Sequence, residues 1–530
     1  MKDLHRFILF ISVFICFIPP ISRCFYDEYI SPKWYLSIFI VLLFLIWCLI
    51  SKYRFHIEKR HISLHATIIL FLECLYSLSY EYTNVFNDYG ITGSFDNPAV
   101  LALHLLLLLP FTFISFNTKK QLWEICRVIV IIIAIITLLL TKSRTGLICL
   151  GIDSIFLIFI KIRHHIKLKI LITTCALSII AFVCLTQKLE STSGRRFIIQ
   201  TTYNLIKENP IIGQGKNSFI RLFMANQGYY LHNHPNCEYA YLADEVYHPL
   251  NEFMNIWLDY GVLGMLLYFI LLSIPTLYFI KRKQWSCCMV FITLFIFSFF
   301  SYPLYYPLPV FIIILGNSWY IYNAFISKSQ LYARTINNEK LKKNLRILFL
   351  TGLCFILGYM CYDYSFEYEW SVISRNAEHG YVKRMLPRYK RLYKHYNNNS
   401  SFLYNYTLIQ FQAAELSDAL STSKKLHLIM SGYNLDLLTG DIYRHLHDNK
   451  SAIKYYQSAY DMCPCRFAPL EGMLLSYQYD NNLNKADSIA KIIINKKIKV
   501  PSSEVSDIIE AAKGWLRKEK CEQTINTITE

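Results

Sequence analysis

Six residues of this chain carry side chains that could break a diphosphate ester: Arg144, Arg195, Arg196, His248, Asn251 and Glu252. A guanidinium presents a planar fork of N–H donors that matches phosphate oxygens. An imidazole takes or gives a proton near neutral pH. Together they define a reaction. Arginines hold a diphosphate at a bilayer surface, a base takes the proton of an attacking hydroxyl, and the diphosphate leaves with its growing charge neutralised. That is group transfer from a lipid diphosphate. It calls for no metal and no cofactor, and no exposed loop holds a DxD-type carboxylate pair. Each residue also has a plainer reading. Arginines at a membrane snorkel to ordinary lipid phosphates, and a lone histidine is commonly structural.

These residues need a frame that holds them at a membrane. The chain has 530 residues, of which 54% are hydrophobic, and its mean hydropathy is +0.29. Its apolar residues cluster into eleven runs: 6–22, 34–51, 63–80, 97–116, 122–141, 145–161, 168–186, 262–280, 285–303, 306–325 and 345–362. Each is about the length that crosses a hydrocarbon core. The first run follows Lys2 and Arg6 as a signal peptide would, but no small-x-small cleavage site comes after it, so it reads as an anchor. The net charge of +17 sits mostly in alternate short loops, for example at Lys119 and Lys120, at Lys161 to Lys169 and at Lys281 to Lys283. Segments 81–96 and 302–309 have no Lys or Arg. This is the positive-inside pattern, not a nucleic-acid footprint. It places the N terminus in the cytoplasm, and the polar island at 187–260 and the tail on the far side.

The expected fold is all-α: a membrane bundle with a soluble helical tail. Four regions follow, namely 1–186 with seven spans, 187–261 as the outer loop, 262–362 with four spans, and 363–530 as the tail. In the tail, Asp418-Ala419, Ser451-Ala452 and Lys485-Ala486 recur at offsets of 33 and 34. With Gly440, Tyr443, Tyr455, Tyr456, Ala459 and Pro464, this is the small-and-large pattern of tetratricopeptide helix pairs. Such a stack offers a surface to an envelope partner or props the membrane domain. Cys463-Pro-Cys465 is too short for a metal finger and reads as two ordinary cysteines.

Charges within apolar runs are costly and become functional candidates. Glu73, His104 and Asp153 are of this kind. The plainer reading, favoured for His104 and Asp153, is a polar side chain facing a neighbouring helix. The segment Gly93-Ser-Phe-Asp96-Asn97-Pro98 predicts a helix start with Asp96 as its cap and Pro98 in the first turn, and Glu73, Asp96 and Asn97 are candidate cleft-lining residues. Arg195 and Arg196 precede an amphipathic helix over 197–208, and Gly213 and Gly215 predict a flexible turn after it.

Several motifs occur in order: Gly93 to Pro98, Ser143-Arg144-Thr145-Gly146, Gly194-Arg195-Arg196, Pro210-Ile-Ile-Gly213-Gln-Gly215, and Asn251 ahead of Gly261-Val-Leu-Gly264. In these, over roughly 85–325, the chain resembles the O-antigen ligase family of membrane glycosyltransferases. That family also includes polysaccharide polymerases and protein O-oligosaccharyltransferases. The stretch from Glu238 to Phe253 resembles a subgroup with tetratricopeptide tails. The resemblance implies a saccharide donor on undecaprenyl diphosphate, and transfer on the periplasmic face of a bacterial inner membrane. The acceptor would be lipid A-core, a glycan or a protein. The resemblance also implies arginines on the diphosphate, here Arg144, Arg195 or Arg196, and an essential histidine, here His248. Many members place that histidine directly before the Asn, where this chain has Leu250. On a helix, the three-residue offset from His248 to Asn251 keeps one face. A transporter of lipid-linked saccharides competes with this reading, but would show inverted repeats, which the sequence lacks. A membrane-anchored scaffold would leave the basic, histidine-bearing loop without a purpose.

Overall fold

The computed structural model describes residues 23–51, 59–80, 90–113, 121–161, 189–328 and 339–529. The runs at 6–22 and 168–186 lie outside the described residues. All regular structure among the described residues is helical. The first helices are α1 (Ser31–Ser51), α2 (Lys59–Tyr80), α3 (Pro98–Thr112), α4 (Gln121–Leu140) and α5 (Arg144–Lys161). Next come α6 (Leu189–Glu208), α7 (Ser218–Asn233), the short α8 (Tyr239–Leu242), α9 (Glu252–Lys281), α10 (Trp285–Phe300) and α11 (Pro307–Ala324). Then follow α12 (Glu339–Glu378), α13 (Val382–Tyr396), α14 (Ser400–Gln412), α15 (Leu416–His427) and α16 (Tyr433–His445). The last are α17 (Asn449–Met462), α18 (Ala468–Tyr479), α19 (Leu483–Asn495) and α20 (Ser503–Thr529).

Five of these are long and apolar enough to cross a membrane: α1, α2, α4, α9 and α12. Helices α3 and α10 are apolar but shorter. Helix α4 shows why such surfaces belong in lipid. Its Ile125, Val128, Ile129, Ile132, Ile136 and Leu139 form an exposed stripe at helical spacing, while Val130, Ala134 and Leu138 are buried on another face. In water that stripe would be a large unpaid hydrophobic area, whereas hydrocarbon costs it nothing.

The described residues divide into two compact units. The first takes the described residues within Met1–Gln187, Leu250–Phe253 and Met265–Val372. The second takes Lys188–Pro249, Met254–Gly264 and Ile373–Glu530. In the first, α3 is the central helix. It is apolar on every side, buries Val100 to Leu107 without a break, and packs on α2, α4, α5 and α10. Asn97, and not the expected Asp96, caps it by accepting from the Ala99 N–H at 2.8 Å, with Pro98 in the first turn; the Asp96 carboxylate instead accepts from the Tyr306 hydroxyl.

The second unit joins the 189–260 island to the tail. Leu205, Ile206, Phe219, Phe223, Met224 and Leu258 share one buried cluster with Tyr433, Ala459, Met462 and Cys463. Within the tail each helix from α13 to α20 packs on its successor. Ala419, Ala452 and Ala486, the small residues of the repeat pattern, are all fully buried. Tyr456 is fully buried too, its ring against the backbones of Gly440 and Gly472. Its hydroxyl donates to Asp441 Oδ1 at 2.7 Å and accepts from Arg444 Nε at 3.2 Å.

Candidate functional site

In the first unit the polar residues gather at helix ends. Glu73, on α2, accepts at both carboxylate oxygens from Ser94, at 3.2 Å from its N–H and 3.1 Å from its hydroxyl. Lys33, on α1, donates to the Tyr29 carbonyl at 2.7 Å and to the Ser94 carbonyl. Its ammonium stands 4.5 Å from the centre of the Phe95 ring. Gly93 allows this approach. Its φ is +63°, and an added Cβ would lie 2.3 Å from Ser77 Oγ and 3.0 Å from Glu73 Oε1. Glu73 therefore acts on the turn that begins α3.

That turn is tied to a second one. The Tyr306 hydroxyl donates to Asp96 Oδ1. The Asn97 amide donates to the Tyr302 hydroxyl at 3.2 Å. Between these tyrosines, the Leu304 N–H donates to Glu252 Oε2 at 3.2 Å. The Tyr302–Tyr306 turn thus connects three residues singled out from sequence: Asp96, Asn97 and Glu252. Burial, followed by the charge of Asp96, pushes the Tyr302 phenol up to about 12. The tyrosines and Lys33 escaped sequence reasoning. The available signal was Tyr302-Pro-Leu-Tyr305-Tyr306-Pro307, three phenols interleaved with two prolines in a loop without Lys or Arg.

Arg144 is the first residue of α5, whose start Ser143 caps by accepting from the Gly146 N–H at 3.2 Å. A helix N-terminus already favours an anion, and a guanidinium there adds to the same field. His104 lies between Phe95 and Tyr306, with ring centres at 4.2 and 5.8 Å, and its Nδ1 is 2.9 Å from the Val100 carbonyl. Asp153 accepts from Thr293 Oγ1 at 3.3 Å. Both face neighbouring elements of the bundle.

The second unit holds Arg195, Arg196 and His248. The two arginines are exposed on α6, which starts earlier than the expected 197–208 helix. Burial, then Glu238, pushes the Tyr239 phenol up, and Arg196 acts on it in the opposite direction. The Tyr239 ring stacks on Phe197 at 4.7 Å. His248 is half-buried, and burial lowers its imidazole to about 4, so it is neutral at pH 7. Just before it, burial raises the Glu245 carboxyl, which the Asn434 N–H partly offsets.

Two expectations about backbone are corrected. Residues 248–251 are not helical, and α9 begins only at Glu252. Leu250 has φ +55°, an unusual conformation for a branched residue. Helical spacing therefore does not relate His248 to Asn251. Nor is the 210–215 turn loose. The Gln214 N–H donates to the Leu258 carbonyl at 2.7 Å, Gly215 to Asp259 at 3.0 Å, and Val262 to Pro210 at 3.0 Å. Helix α9 is kinked at Gly261, with φ +71°. Both Asp259 oxygens accept from the start of α7, at 3.1 Å from Asn217 N–H and 3.0 Å from Ser218 N–H. Among the described residues, no group of three or more His, Cys, Asp or Glu is placed to hold a metal ion.

Residues 129–269 match the family model described as O-antigen ligase. No match was found among curated proteins. The resemblance read from the motifs is thus supported over a stretch that contains Arg144, Arg195, Arg196, His248, Asn251 and Glu252.

Proposed function

We propose that this chain is a metal-independent membrane glycosyltransferase of the O-antigen ligase type. It takes a saccharide from an undecaprenyl-diphosphate carrier and joins it to an acceptor hydroxyl on the periplasmic face of the bacterial inner membrane. The carrying observation is the O-antigen ligase match, which encloses the arginine, histidine and glutamate candidates. Eleven spans, a cytoplasmic N terminus and a periplasmic tetratricopeptide-like tail belong to the same reading.

In the reaction, the acceptor oxygen forms a bond to the anomeric carbon, and the bond from that carbon to the diphosphate oxygen breaks. The acceptor proton goes to His248, whose imidazole is neutral at pH 7 because of burial. The leaving diphosphate gains charge, and guanidinium groups stabilise it. Arg195 and Arg196 are exposed and so accessible to a lipid-borne anion. Arg144, at a helix N-terminus, is the third candidate for the diphosphate. Asn251 and Glu252 follow His248 closely, and Glu252 joins the Tyr302–Tyr306 turn that also meets Asp96 and Asn97.

Arg196→Ala is expected to lower kcat/KM for the lipid-linked donor by about 10- to 100-fold, the usual worth of a hydrogen bond to a charged group. Steady-state kinetics in detergent would measure it, and an unchanged value would remove Arg196 from the donor site. The function itself is tested with purified protein, undecaprenyl-diphosphate-linked glycan and three acceptors: lipid A-core, a glycan and a peptide. Mass spectrometry should find glycan on lipid A-core, together with released undecaprenyl diphosphate. Product on the glycan or the peptide would instead assign a polymerase or a protein oligosaccharyltransferase. No release of diphosphate with any acceptor would overturn the proposal.

A further inference from the structure

Four consecutive residues on the approach to His248, Leu242 at the end of α8 and the first three of the loop after it, are each held by a different residue of the tail. Lys499 Nζ donates to the Leu242 carbonyl at 3.2 Å. Cys465 Sγ donates to the Ala243 carbonyl at 3.3 Å. Arg466 Nη2 donates to Asp244 Oδ1 at 2.7 Å. Asn434 donates to Glu245 twice, from its N–H to Oε1 at 3.4 Å and from its amide to Oε2. A fifth link runs through Gln227 of α7. Its amide donates to the Asp244 carbonyl at 3.1 Å and to the Met462 carbonyl at 2.9 Å.

Residues 243–251 form no helix or strand. Their backbone groups therefore need partners from elsewhere, and an irregular segment without them would sample many conformations. The partners come from three separate places in the tail: the start of α16, the turn after α17 and the loop after α19. Contacts so far apart along the chain hold the segment only when the tail is folded and docked. Arg466 with Asp244 is a charge-assisted pair, the stronger kind of such contact.

We propose that the tail is a positioning clamp for the histidine-bearing loop, with Asn434, Arg466 and Lys499 as its fingers. Asn434, Arg466 and Lys499 are positioning residues, since each acts on the loop rather than on a reacting atom. The role assigned to the loop rests on the reading of His248 as the base. The tail is then a part of the enzyme rather than only a landing surface for another protein.

The test uses the full-length protein in detergent, with the double variant Asn434→Ala/Arg466→Ala. Hydrogen exchange followed by mass spectrometry should show faster exchange over 241–249 and unchanged exchange over the tail helices. Transfer should fall by about 10- to 100-fold in kcat with little change in donor KM, the cost of a misplaced reacting group. The acid limb of the pH–rate profile should move upward, as the loosened imidazole gains water. Arg466→Lys alone should keep much of the activity. If exchange also rises across the tail helices, the variant has unfolded, and Lys499→Ala replaces it with the same expectations. Wild-type exchange over 241–249 would overturn the clamp. Faster exchange there with unchanged transfer would overturn the claim that the clamp positions a reacting group. The exchange measurement reads the clamp without reference to chemistry, and His248→Ala reads the base, so the two claims fail separately.

Discussion

His248→Ala is expected to reduce saccharide transfer by about 10²–10⁴-fold, the usual contribution of a positioned general base. The variant should still reach the membrane, because the half-buried His248 is replaced without disturbing a long apolar helix. The pH dependence gives the same claim a second measurement. Burial lowers this imidazole from its ordinary range to about 4. A base must be unprotonated to act, so kcat/KM should stay level through neutral pH. It should fall only as the pH drops through about 4. An unperturbed histidine would put that fall near pH ~6.5. Wild-type transfer by the alanine variant would falsify the assignment, and an acid limb near 6.5 would show that the imidazole is not buried during the reaction.

Gly261→Ala should have a large structural effect for a single added methyl. The residue has φ +71°, where L side chains are strained. The new Cβ would lie 1.9 Å from the Ile211 carbonyl oxygen, and backbone cannot swing aside as a long side chain does. Relief requires breaking the bond from Val262 N–H to the Pro210 carbonyl. The bond from Trp257 Nε1 to that carbonyl, at 2.9 Å, would be disturbed with it. The expected cost is on the order of 3 kcal/mol or more, combining strain and lost hydrogen bonds. Thermal unfolding in detergent would report it. Gly514→Ala is the matched control, since nothing lies within 4 Å of its added Cβ and it stands in a helix. That change should be neutral or stabilising by about 1 kcal/mol. Equal melting temperatures for the two variants would contradict the clasp between the 210–215 turn and the kink.

The sequence revealed those features that repeat or act locally. The apolar runs that fall within the described residues are helical, as a backbone in hydrocarbon must satisfy its own hydrogen bonds, and five of those helices are long enough to cross a membrane. The helix start at Pro98 was legible because Pro suits a first turn, but the cap is Asn97 and not the expected Asp96, one residue earlier. The recurring alanines marked buried positions because close helix packing needs small side chains at regular spacing. Distant polar contacts were not legible. Nothing in the residue types near Glu245 points to Asn434, 189 positions away. The same holds for Asp96 and Tyr306, 210 apart. The helical spacing expected for 248–251 failed because Pro249 follows His248 and biases it away from helix. Leu250 then reverses the chain at positive φ. The island and the tail, separate stretches in the sequence, share one core because Phe219 and Phe223 find Tyr433 and Met462 as neighbours.

That shared core sets an order of events during synthesis. Helix α7 takes its first-turn acceptor from Asp259, 41 residues after Ser218. The cluster around the aromatic face of α7 takes Leu205, Ile206 and Leu258 from nearby in the chain, but Tyr433, Ala459, Met462 and Cys463 are made some two hundred positions later. A ribosome adds about 5–20 residues per second. The island therefore emerges many seconds before the last part of its lining exists, and the core around Phe219 and Phe223 closes only once the final quarter of the chain has been made.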